Sequence, residues 1–168
     1  VAEVEEEFSY KDLKDLTFVF SSGAGAWGTV LTIQDDGSFE GNYHDTDMGD
    51  TDEKYPNGSV YVCEFSGKFT ELKKENDFTY SAKIESLTYQ QEPGTSEIID
   101  GMRHVYSEPY GLEKSERFLF YLEGAPIAEL PEGYRNWVSY YDMSEIQDTR
   151  LPFIGLYNEA QEEGFSSF

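Results

Sequence analysis

Through the first half of the chain, apolar and polar residues alternate in short runs, and a period of two is the pattern of half-buried strands. Leu16-Thr17-Phe18-Val19-Phe20 reads as a first strand. From Trp27 to Ile33, residues Trp27, Thr29, Leu31 and Ile33 share one face. Asp35-Asp36-Gly37 predicts a tight hairpin turn, because glycine accepts the positive φ such turns demand. Phe39, Gly41 and Tyr43 resume the alternation beyond it. A polar stretch from His44 to Gly58 ends in the turn signal Pro56-Asn57-Gly58. Ser59 to Leu72 reads as a long strand with Tyr61, Cys63, Phe65 and Phe69 inward, and Gly67 on that face predicts a bend or the close approach of an aromatic ring. Lys73 to Asp77 is expected as a hairpin loop. Phe78, Tyr80, Ala82 and Ile84 then return on one face, with a slip near Glu85-Ser86 of the kind a β-bulge produces.

After Gln90 the pattern thins. Glu92-Pro93-Gly94 is loop, and Ser107-Glu108-Pro109 is a turn that opens a short helix through Lys114. Phe118-Leu119-Phe120-Tyr121-Leu122 is the most continuously apolar run and predicts a buried strand. Pro131 suits the first position of a helix, where its missing N–H costs nothing, and Tyr134, Trp137, Val138 and Tyr141 follow at helical spacing. Phe153 to Tyr157 is expected to be the last strand, with a polar, loose tail to Phe168. Successive hairpins without long intervening helices argue for an all-β, antiparallel meander. Residues 1–15 read as an acidic N-terminal tether or cap, and 16–168 as a single domain. Burying so many aromatics on one face predicts a meander closed into a barrel of about eight strands with one or two short helices.

The chain has 168 residues, with 34 Asp and Glu against 12 Lys and Arg and a net charge of −22. That sign excludes nucleic acid and anionic membrane surfaces as partners, because both are bound through basic residues. No apolar run is long enough for a transmembrane helix. The single cysteine, Cys63, rules out an intrachain disulfide, and its strand parity makes it a small buried hydrophobe rather than a nucleophile. Strong acidity without disulfides fits a surface or secreted bacterial protein as well as a cytosolic one, and the exported location is the one expected here.

Gly25-Ala26-Trp27, followed by a strand and a series of hairpins, resembles the Gly-x-Trp signature of the lipocalins and wider calycins. The resemblance implies an eight-stranded barrel with Trp27 packed across one end, Gly25 permitting the close turn, and an interior that holds a small apolar ligand. The departure from the family pattern is an extra strand, Leu16 to Phe20, before the tripeptide.

These readings lead to a non-catalytic binding domain, an exported carrier of a small apolar or aromatic ligand, with no cofactor. Its interior candidates are Trp27, Phe39, Tyr43, Tyr61, Phe65 and Tyr80. The alternative is a surface domain that meets a protein or a polysaccharide, with Tyr134, Trp137 and Tyr141 as candidate surface aromatics, because such rings stack on sugars as readily as they pack on a sheet. Asp45, Asp47, Asp50 and Asp52 alternate in one loop, a way of presenting oxygens to Ca²⁺. The EF-hand order fails there, so a solvated loop competes with a weak calcium site. His44 and His104 have no zinc-site spacing. No nucleophile elbow, phosphate cradle or readable carboxylate pair supports an enzyme.

Overall fold

The computed structural model describes residues 8–21, 27–112, 117–138 and 150–167. These residues form β1 (Thr17–Ser21), β2 (Trp27–Ile33), β3 (Ser38–Asp47), β4 (Ser59–Phe69), β5 (Lys73–Asn76), β6 (Thr79–Ala82) and β7 (Ile84–Tyr89). Beyond them come β8 (Ser96–Ile99), β9 (Met102–Tyr106), β10 (Phe118–Tyr121), the helix α1 (Glu132–Trp137), β11 (Gly155–Asn158) and β12 (Glu163–Ser166). The β2–β3 turn follows from its sequence. Gly37 takes φ +86, and the Ser38 N–H and hydroxyl donate to the Asp36 carboxylate at 3.0 and 2.5 Å. Those two bonds hold the Asp36 carboxyl below its ordinary pKa.

All twelve strands join one sheet, ordered β5-β6-β10-β11-β12-β1-β2-β3-β4-β9-β8, with β7 also paired to β4. One side of β4 is shared. Residues 59–62 hold β9 in parallel, and residues 65–69 hold β7 antiparallel. Only Lys83 separates β6 from β7, so one bent segment borders β10 with its first half and β4 with its second.

The closed calycin-like barrel is not formed. The ends of the hydrogen-bonded path, β5 and β8, do not pair, so the sheet is open, and the lipocalin resemblance of Gly25-Ala26-Trp27 does not extend to the fold. The physical reason is that alternation reports which face of a strand is buried, and a curled open sheet buries the same face as a closed one. Two local expectations also change. Lys73–Asn76 is a strand, not a loop. A further strand, β12, follows the expected last one. The stretch expected to turn and open a helix through Lys114 does turn at 109–112, with Gly111 at φ +101 fitted under the rings of Phe20 and Phe165; residues 113 and 114 lie outside the described residues. In the expected tether, Tyr10 and Leu13 are buried in a short 3-10 turn, Tyr10–Leu13.

The curl encloses aromatic rings. Phe18, Phe20, Leu31, Ile33, Phe39, Phe65, Phe69, Phe118, Phe120, Leu156 and Phe165 form one buried cluster drawn from both halves of the sheet. Two strand glycines make room for it. A Cβ on Gly41 would stand 2.1 Å from the Val30 carbonyl oxygen and 2.8 Å from the Phe65 ring, and one on Gly67 would meet the Phe39 ring at 2.6 Å. The sheet's other face carries a second cluster under residues 122–138 and 150–154, where Tyr121, Tyr134 and Tyr157 pack with ring centroids 4.9–6.2 Å apart. Burial raises the Tyr157 phenol to about 12 and moves Tyr121 up as well. Among the described residues no helix is long and apolar enough to cross a membrane.

Candidate functional site

The interior holds most of the residues first considered for a ligand, and it holds them in packed contact. Phe39, Phe65 and Tyr80 are buried. Phe39 lies 4.7 Å from Phe69 and 6.3 Å from Phe65, and Phe69 lies 5.6 Å from Phe120, measured between ring centroids. Tyr43 and Tyr61 are half-buried near the β3–β4 end. Trp27 packs on Phe20 and Tyr110 at 5.1 and 5.2 Å, and Trp137 packs on Phe20 at 4.6 Å. Depressions of about 390 to 570 Å³ on the surface are open to solvent; the widest is lined by Glu40, Asn42, Glu64, Ser66, Thr88 and Gln90, among others.

The helix aromatics face the sheet. Tyr134 is fully buried and donates from its hydroxyl to the Phe165 carbonyl at 3.0 Å. It lies across Gly155 and Gly164, either of which would collide with it if given a side chain. Trp137 is half-buried and donates from Nε1 to the Glu162 carbonyl at 2.5 Å. Tyr141, like Gly25, lies outside the described residues. Cys63 is buried, and desolvation, then the charges of Glu108 and Glu64, push its thiol up to about 11. A thiol so raised stays protonated at neutral pH and is a poor nucleophile.

The acidic loop is built from internal contacts. Asp47 accepts the Gly49 N–H at 3.1 Å, and Asp52 accepts the Lys54 N–H at 3.3 Å. The Asp50 carboxylate pairs with the Arg103 guanidinium. The buried Ser59 hydroxyl donates to the Asp50 carbonyl at 3.0 Å and accepts from Arg103 Nε at 3.2 Å. Arg103 also stacks over Tyr55 at 4.9 Å. Among the described residues no three His, Cys, Asp or Glu side chains converge as metal ligands. Asp45 lies on β3 opposite Trp27 and Tyr61, and His44 and His104 flank β4 from β3 and β9.

This loop is docked on the β8–β9 hairpin. The Asn57 N–H and amide donate to the carbonyls of Gly101 and Asp100 at 3.0 and 2.9 Å, and the Arg103 N–H donates to the Gly58 carbonyl at 3.0 Å. Residues 47–58 and 94–106 thus form one lobe at the end of the sheet. On it stand the exposed large apolar side chains of the described residues: Met48, 65% exposed, Ile98, 45%, and Ile99, 44%. Asp100 and Gly101 take φ +50 and +77, as a type I′ turn requires.

Comparison with protein-family models finds no match for the chain, and neither do comparisons with curated proteins or with solved structures. The hairpin was missed in the sequence although Asp100-Gly101 is a strong turn signal. Ile98 and Ile99 are adjacent, so they point to opposite faces and register as neither a strand stripe nor a helical one.

Proposed function

We propose that this protein is a non-catalytic binding domain that meets another protein through the lobe of residues 47–58 and 94–106. The observation that carries the reading is the contrast between an interior occupied by rings and exposed apolar side chains carried on one hydrogen-bonded, acidic projection. Water-exposed isoleucines beside a free strand are costly to keep unless something covers them part of the time. An exported location suits the same reading, since the strong negative charge keeps such a surface soluble between encounters. A second reading, contact with a polysaccharide, has support in the open depression lined by Glu40, Asn42, Glu64 and Gln90, whose polar groups suit sugar hydroxyls, and by the half-buried Tyr89.

Titration with an environment-sensitive apolar dye separates the surface reading from an internal carrier. Weak dye fluorescence is expected from the wild-type chain, and most of it should disappear when Ile98 and Ile99 are both changed to Ser. Saturable one-to-one binding of equal affinity in the two proteins would place the ligand elsewhere and contradict the proposal.

A further inference from the structure

Among the described residues no strand pairs with the outer side of β8, and this edge differs from the other edges of the sheet. At the opposite end, β5 carries Lys73-Lys74-Glu75-Asn76, all exposed, and charged residues of this kind are how sheets discourage added strands. On β7, the apolar Ile84, Leu87 and Tyr89 pack on the core. β8 instead presents Ser96-Glu97-Ile98-Ile99, exposed at every position.

Its backbone orientation follows from the bonds on either side. The Tyr106 N–H donates to the Thr95 carbonyl at 2.9 Å, and the Arg103 N–H turns the other way, to Gly58 on the β4 side. In an antiparallel ladder bonded and non-bonded pairs alternate. The registered pairs Glu97 with His104 and Ile99 with Met102 are therefore the bonded ones. Ser96 and Ile98 direct their N–H and C=O groups away from β9, to the open side.

We infer that β8 is an acceptor strand for an extended, basic segment of another protein, which adds to the sheet antiparallel or parallel along Ser96 and Ile98. The inference rests on the lobe reading above and names the partner's chemistry. Main-chain bonds supply the pairing, and Ile98 and Ile99 offer apolar contact on both faces of the new strand. Basic character follows from charge: Glu92, Glu97 and Asp100 border the strand, and the chain as a whole is −22. The same charge opposes a second copy, since self-pairing would bring Glu97 and Asp100 of two such chains to one seam. The lobe is held by the Asp50–Arg103–Ser59 and Asn57–Gly101 contacts, so the edge is already extended and little ordering is required of this side.

The test uses the full chain and a capped peptide of about eight residues alternating Lys and Val, long enough to span the strand. Controls are the same peptide N-methylated at every second residue, on the edge that would pair, and a Glu-Val peptide. Amide exchange of Ser96 and Ile98 should slow by about tenfold or more on peptide addition, and affinity should fall by about tenfold when salt is raised beyond the screening range. Neither control should bind comparably. Ile98→Pro removes an outward N–H that β9 does not use, so the fold should persist by circular dichroism while binding is lost; Ile98→Ser keeps the donor and should weaken binding less. Equal affinity of the N-methylated peptide would overturn strand addition while leaving the lobe as a contact surface. Absence of binding, or protection mapped away from β8, would overturn the inference, and the dye experiment would still judge the lobe independently.

Discussion

Replacing Phe120 with alanine is expected to lower stability by about 3–5 kcal/mol, the usual range for a fully buried phenylalanine. Its ring packs edge-on against Phe18, Tyr10 and Phe69 at centroid distances of 5.6–6.4 Å, and β6 and β11 hold its backbone on both sides. The surrounding rings belong to different strands and cannot collapse together into the vacancy. A domain of this kind has about 5–15 kcal/mol of net stability, and self-repulsion among 22 excess negative charges takes part of it at low ionic strength. Phe120→Ala should therefore be largely unfolded in dilute buffer and recover structure as neutral salt screens the charge. Urea melts at two salt concentrations, followed by tryptophan fluorescence, check this. A variant of near wild-type stability at both would mean that the interior is not packed as described.

Gly41→Ala is expected to be nearly as damaging for a different reason. The new methyl would lie 2.1 Å from the Val30 carbonyl oxygen and 2.9 Å from the Leu31 Cα, as well as against the Phe65 ring. Rotating a side chain relieves only the last of these contacts; the others require β2 and β3 to separate across a bonded ladder. Overpacking of a core costs about 1–3 kcal/mol, and a backbone collision belongs at or above the top of that range. Gly49→Ala is the control: its Cβ would meet only the Asp47 carboxylate, at 3.5 Å, and stability should change by no more than about 0.5 kcal/mol. Equal urea midpoints for the two variants would refute the close approach of β2 and β3.

The parts of this fold that were legible in the sequence are those in which a strand's own residues determine its pairing. The β2–β3 hairpin is an example: Leu31, Ile33 and Phe39 supply the face, and Asp36-Gly37 supplies the turn. What escaped was set by distant partners. β5 has no apolar residue, because it is an exposed edge, so nothing in Lys73–Asn76 distinguishes it from a loop. β12 looks polar because Gly164 gives up its side chain to make room for Tyr134, which is 30 residues away in sequence. The parallel placement of β9 beside β4, and the antiparallel insertion of β10 between β6 and β11, leave no trace in a pattern that records only burial, and the difference between a curled open sheet and a closed barrel is lost with them. For the candidate site the obstacle was exposure. A sequence shows that Ile98 and Ile99 are apolar; only the fold shows that no other element among the described residues covers them.

Among the described residues β8 is an open edge of the sheet, and amide hydrogen exchange of the free protein measures that residue by residue. Glu97 and Ile99, bonded to β9, should be protected, whereas Ser96 and Ile98 should exchange at least about tenfold faster, and the amides of β1, β2 and β10 should be the slowest of all. Equal protection along the four residues of β8 would mean that its outer side is already paired, and would contradict both the open sheet and the function assigned to it.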